Sequence, residues 1–199
     1  MSRTTMIVSG LLLALGVPAV ASAASPSHYT MPNTAALLKA ERTAMVPLTK
    51  MEGIWRGPAT GTGPSGKPYH VTQTERVGPF LGKSVMVMEG RGYKSDGHLG
   101  FHAFGVISYN PMTKAYSMNA YADGFAGNFK LDLTPGGFTW SIPEGPVTMR
   151  YTATFKGGTW HEVGARIVAG EKPVQTSEMT LKRISGTDWP AAGAVPFKP

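Results

Sequence analysis

The stretch VTMRYTATFKGGTWHEVGARIV, residues 147–168, holds two alternating runs joined by Lys156-Gly157-Gly158. In the first run Arg150, Thr152 and Thr154 share one face and Met149, Tyr151 and Phe155 the other; in the second, Glu162, Gly164 and Arg166 oppose Val163, Ala165 and Ile167. A period of two marks a strand with unlike faces, and paired glycines supply the positive φ that a tight hairpin needs. Residues 147–168 therefore read as a β-hairpin.

The same pattern extends in both directions from it. Strands are predicted near Gly53 to Gly61, Tyr69 to Val77, Ser84 to Tyr93, Phe101 to Tyr109, Ala115 to Ala122, Asn128 to Leu133, Phe138 to Ile142, Val147 to Phe155, Thr159 to Val168 and Thr176 to Ile184. Ser95-Asp96-Gly97, Asn110-Pro111, Asp123-Gly124 and Pro135-Gly136-Gly137 join them with hairpin chemistry. About ten short strands connected almost only by hairpins form an up-and-down meander, which removes its exposed edges by closing. Residues 61–66 spell G-x-G-x-x-G, yet Pro64 lies inside the run and a strand follows, whereas a dinucleotide loop opens a helix. This is a hairpin loop.

Upstream of the strands lies one helix. Asn33 can cap it, Ala36, Leu37, Ala40, Ala44 and Leu48 recur at helical spacing, and Pro47 bends or ends it. The expected architecture is all-β: an antiparallel up-and-down barrel of about ten strands with one N-terminal helix, over residues 33–185. Residues 24–32 are a flexible lead-in, and 186–199 a Pro-rich tail that Trp189 can pin.

Residues 1–23 carry Arg3, an apolar run from Met6 to Val20, and Ala21-Ser22-Ala23, the small-residue pattern of a signal-peptidase site. Gly10, Gly16 and Pro18 interrupt a run already short for a membrane span. The chain is therefore expected to be exported, cleaved near Ala23, to the periplasm or beyond, with no stable membrane insertion afterwards. Its formal charge of +7 falls by one on cleavage, since one arginine and no acid is removed. The basic residues are scattered rather than clustered, which argues against a nucleic-acid partner. With no cysteine, disulfides, Cys-ligated metals and thiol nucleophiles are excluded.

No catalytic constellation emerges; a G-x-S-x-G elbow, for instance, is absent. His98 and His102 are four apart, a metal-ligand spacing on a helix but not across a turn and strand. The informative residues are charged and aromatic strand positions able to line a cavity: Glu89 and Arg91 on one face, His102, Tyr121, Trp140, Arg150, Glu162 and Glu178. Alternation alone allows the charged faces to point to water; it also allows some to turn inward and pair, giving a polar cavity for an anionic head group. His161, a strand histidine flanked by Trp160 and Glu162, is the residue to hold haem if haem is bound.

Met51-Glu52-Gly53-Ile54-Trp55-Arg56-Gly57, directly after the helix, resembles the G-x-W entry of the calycin superfamily of lipocalins, fatty-acid-binding proteins and nitrobindins. That resemblance implies a first-strand Trp55 packed at the barrel base beneath a last-strand cation, Arg183 or Lys182. Val77-Gly78-Pro79-Phe80-Leu81-Gly82, Glu89-Gly90-Arg91-Gly92-Tyr93, Phe101-His102-Ala103-Phe104-Gly105, Met149-Arg150-Tyr151 and Glu178-Met179-Thr180-Leu181-Lys182-Arg183 resemble a family of exported bacterial proteins without an assigned activity, over Leu48 to Pro190. A nitrobindin likeness would add haem through His161; no other cofactor is expected.

The reading is an exported barrel, monomeric or homodimeric, that binds a small amphipathic or anionic molecule in its interior without covalent chemistry. The alternatives are a filled barrel serving as a structural or interaction module, and a haem-binding nitrobindin-like protein or an enzyme.

Overall fold

A computed structural model describes residues 33–63 and 65–190. The expected signal sequence and lead-in, within residues 1–32, and residues 191–199 of the tail lie outside them. The helix α1 spans Thr34–Met45, and the Asn33 side chain caps it by accepting from the Ala36 amide at 3.1 Å. Pro47 then tightens the chain into a 3-10 turn over Val46–Met51. Among the described residues no helix is long and apolar enough to cross a membrane.

Ten strands follow: β1 Gly53–Thr62, β2 Pro68–Phe80, β3 Val85–Tyr93, β4 Leu99–Asn110, β5 Ala115–Ala122, β6 Phe125–Thr134, β7 Gly137–Glu144, β8 Val147–Lys156, β9 Thr159–Val168 and β10 Val174–Ser185. Each pairs antiparallel with its chain neighbours, and β1 pairs with β10, so the sheet is a closed up-and-down barrel. The closing seam is tight. A methyl group on Gly57 would run into the Thr180 carbonyl, and Gly53, at φ 137°, has the Ser185 carbonyl 2.9 Å from where its Cβ would stand.

Trp55 organises the base of the barrel. Its ring meets Trp160 edge-on at 5.8 Å and Phe155 at 6.0 Å, its Nε1–H donates to the Met51 carbonyl at 2.8 Å, and the Arg183 guanidinium lies 4.5 Å over it. Arg183 also donates to the Lys50 carbonyl, and the Tyr116 hydroxyl to that of Ala44 at 2.7 Å. These bonds draw the helix and the 3-10 turn across the opening, where Met45, Leu48 and Met51 become buried. Above them Val77, Met86, Ile107, Met118, Leu131, Phe138, Ala153, Trp160 and Leu181 fill the lower half of the barrel.

The inward sense of every strand follows from these anchors, because a strand that buries one residue in the core turns every second residue inward. On β8 and β10 the apolar faces point in. On β9 the order is reversed: Trp160, Glu162, Gly164 and, at the mouth, Arg166 are on the lumen face, and Val163 and Ala165 on the outside. On β3 Met86, Met88, Gly90 and Gly92 face in, so Val85, Val87, Glu89 and Arg91 share the outer face.

The first residues of the tail are fastened to the outer wall. Arg76 of β2 donates twice to the Asp188 carboxylate, both at 2.7 Å, and lies 4.5 Å over the Trp189 ring, which meets Phe80 edge-on at 5.8 Å.

Candidate functional site

Strand β2 carries Tyr69, Val71, Gln73, Glu75 and Val77 on its inward face, so two polar residues interrupt an apolar register. Glu75 is 8% exposed, with Oε1 accepting from Gln73 Nε2 at 2.7 Å. Its carboxyl rests on Gly90 of β3: a Cβ there would lie 2.6 Å from Glu75 Oε1. Glycine at the facing position is what makes room for an acid inside the wall. Across the lumen β9 contributes Glu162 and β8 Tyr151; Gly164 in turn leaves space for the Tyr151 ring and the Ser177 hydroxyl.

Burial governs the charge of this cluster. Loss of water pushes the Glu75 carboxyl up to about 8, against a partial offset from the Gln73 hydrogen bond and with further repulsion from Glu162 and Glu89. Glu162 keeps some accessible surface, yet its carboxyl is deep enough that loss of water raises it to about 7, offset in part by the Trp160 indole and by His161. The two titrate as a pair, in which the charge on one carboxyl disfavours the second. Trp160 is 2% exposed, and its Nε1–H, near enough to Glu162 to favour its ionised form, closes no hydrogen bond of ordinary geometry among the described residues. The phenols of Tyr69 and Tyr151 are raised by loss of water and stay neutral.

Above this floor the inward residues are only partly buried. Trp140 stacks on Tyr151 with ring centroids 4.6 Å apart and planes 18° from parallel, and Phe129 meets Trp140 at 5.8 Å. Met88 and Met179 are likewise inward and partly exposed. Inward aromatic and thioether side chains therefore stay partly accessible beside the carboxyls, and together they outline a cup at the upper end of the barrel.

The eight sequence-predicted cavity residues divide unevenly. Trp140 and Glu162 face the lumen. Glu89, Arg91, His102, Tyr121, Arg150 and Glu178 project from the outer face, which corrects their expected placement. Glu89 accepts from Arg91 Nη2 at 2.6 Å and bonds His102 Nε2 at 2.9 Å; although partial burial raises its carboxyl, these two partners hold it below its ordinary value. Tyr121 packs against Phe104 beside a surface depression of about 410 Å³ at the β5–β6 turn. Arg150 alternates with the inward Met149 and Tyr151 and is exposed. The inward arginine expected to hold an anionic head group is therefore not supplied by Arg91 or Arg150.

His161 also lies outside, its Nε2 2.8 Å from Glu178, which its hydrogen bond and that of Gln175 hold lowered. No histidine among the described residues faces the lumen, so the residues do not fit a haem held there by His161. Among the described residues no three histidines and carboxylates gather as a metal site. A second depression, of about 490 Å³, runs between α1 and Tyr109 and Tyr116 at the base.

Sequence reasoning allowed Glu75 an inward place, but paired with Arg91 or Arg150 and not with Gln73, and it missed Gln73, Tyr69 and Ser177. The signal was present: Gln73 and Glu75 share a face with Val71 and Val77, and a polar pair in an apolar register is either solvent-facing with its neighbours or buried with a purpose.

A plugged barrel base with a tryptophan under an arginine, ten meander strands and an open upper lumen define a calycin-like β-barrel. Among solved structures the chain is similar to Rv2717c from M. tuberculosis, at 12% identity and a TM-score of 0.52, over 72% of this chain and 96% of that one. The S-type phycobiliprotein lyase CpeS from Guillardia theta aligns at 12% identity and a TM-score of 0.49, over 75% and 98% of the respective chains. The likeness to Rv2717c is one of fold. No family model and no curated protein matches the chain.

Proposed function

We propose that the protein is an exported binder of a small amphipathic molecule, held without covalent chemistry in the upper half of the lumen. The observation that carries this reading is the cup itself: the stacked Trp140–Tyr151 pair and its neighbours turn inward yet stay accessible, above a base already filled. Apolar walls with a few convergent polar groups are the ordinary make-up of a small-molecule site. Support for export is the signal-like sequence of residues 1–23.

The neutral fluorophore N-phenyl-1-naphthylamine tests it. Saturable one-to-one fluorescence enhancement is expected, weakened about tenfold in Trp140→Ala, the loss of roughly 1.4 kcal/mol of aromatic contact. Arg150→Met, on the outer wall, leaves it unchanged. No enhancement, or equal binding by wild type and Trp140→Ala, would instead favour a filled barrel acting through its surface.

A further inference from the structure

The lumen has a charge character that the composition conceals. The chain is basic as a whole, yet the groups around the cup floor are acids and neutral donors: Glu75 from β2, Glu162 from β9, the phenols of Tyr69 and Tyr151, Gln73 and the Trp160 indole. One arginine shares this face: Arg166, four residues beyond Glu162 on β9, stands at the mouth, where it is exposed and pairs at 3.6 Å with Glu171. The others lie elsewhere: Arg183 is spent on Trp55 and the Lys50 carbonyl at the base, and Arg91 and Arg76 are outside on Glu89 and Asp188.

From this geometry we infer that the cup selects an organic monocation, an aromatic or amphipathic amine, whose charged head sits between Glu75 and Glu162 and whose apolar body lies on the Trp140–Tyr151 stack. This rests on the binding reading above and deepens it. Three observations converge on it. First, the Gly90 cradle seats both carboxyl oxygens of Glu75, and the Gln73 hydrogen bond holds one of them, so that the other has no hydrogen-bond partner among the described residues. Second, the Trp160 Nε1–H is a buried donor that closes no hydrogen bond of ordinary geometry yet lies within the influence of the Glu162 carboxyl. A cation that draws Glu162 into its ionised form makes that carboxyl the stronger acceptor for it. Third, the aromatic faces beside the carboxyls favour a cation over a neutral or anionic head of the same shape.

The proton balance follows. A buried carboxyl that is neutral in the free protein must lose its proton to pair with an ammonium, so uptake of the cation releases a proton to solvent and tightens as pH rises towards 8. The other titratable groups near the pair do not reverse this. Tyr69 and Tyr151 stay neutral throughout, Arg166 stands at the mouth beside Glu171, and Glu89, Glu144 and His161 act from the outer wall or the rim.

A matched ligand series decides it: 4-phenylbutylammonium, 4-phenylbutanol and 4-phenylbutanoate share one body and differ in head charge. Calorimetric titration at pH 8 should show the ammonium binding at least about tenfold tighter than the alcohol, with the carboxylate weakest. The preference should fall to about twofold or less in Glu75→Gln/Glu162→Gln, which still binds the alcohol. For wild type, ammonium affinity should rise between pH 5 and 8 while alcohol affinity stays level. Binding of the alcohol without a charge preference, or a preference that survives in the double variant, overturns the inference and leaves the binding reading intact. Displacement of the ammonium by millimolar calcium overturns it in favour of a metal ion. Binding of none of the three overturns both readings. A thermal melt of the double variant, in which both substitutions are isosteric, confirms that the barrel is folded.

Discussion

Trp55→Ala is expected to cost about 3–5 kcal/mol, the range for deleting a large aromatic side chain from a packed core. Three losses coincide at this position. The ring's edge-on contacts with Trp160 and Phe155 disappear, the hydrogen bond that holds the Met51 carbonyl goes, and Arg183 is left over a void with only the Lys50 carbonyl as partner. The last two also tie the 3-10 turn to the barrel, so the helix plug should loosen along with the core. Chemical denaturation monitored by far-ultraviolet circular dichroism gives the number. A loss below about 1 kcal/mol would remove Trp55 from its place as the anchor of the base.

The second large effect concerns pH. An unfolded glutamate titrates near 4.5, and Glu75 and Glu162 in the barrel near 8 and 7, so between those limits the folded chain binds more protons than the unfolded one. Their raised values therefore favour the fold fully only below about 4.5, and that advantage is lost as pH rises through 7 and 8. At about 1.4 kcal/mol per unit, the contribution of Glu75 is on the order of 5 kcal/mol across the window. Glu75→Gln keeps the shape and the Gln73 contact but cannot ionise. It should leave the melting temperature at pH 5 little changed and raise it clearly at pH 8.5, flattening the pH profile. Parallel profiles for wild type and variant would show that Glu75 is not buried as described. The carboxylates with lowered values, the half-buried Glu89 and the exposed Asp96, Glu178 and Asp188, act in the opposite sense and only in stronger acid.

Strand positions were legible because their signals are local. The alternation of residues 147–168 and the Gly157-Gly158 turn specify β8 and β9 without reference to anything distant, and Asn33 and Pro47 mark the helix in the same way. Barrel closure was inferable from strand count and hairpin connectivity. What alternation could not tell is which face turns inward. On β9 the apolar side would ordinarily be placed in the core, yet Trp160 belongs beneath Trp55, and that contact turns Glu162 into the lumen with it. The decision rests on a pairing between residues 105 apart in the chain.

The glycines held the other part of the answer. Gly90 and Gly92 on β3 look like breaks in a strand, but they are the inward positions against which Glu75 and Gln73 lie. An acid on one strand opposite a glycine on its neighbour is readable only once the register Glu75 to Gly90 is known. Glu89 and Arg91, more conspicuous as a charged pair, bond each other and His102 on the outside instead. Conspicuous charge was a poor guide to the lumen because charges are most easily solvated outside it.

The carboxyl pair in the lumen is the central claim, and a titration of the glutamate side-chain carboxyl carbons by nuclear magnetic resonance measures it directly. Two resonances, assigned by their loss in Glu75→Gln and Glu162→Gln, should titrate near neutrality, well above those of Glu89 and Glu178, whose carboxyls are held low. If both titrate near the ordinary glutamate value of 4.5, these side chains are in water and the lumen has no such floor.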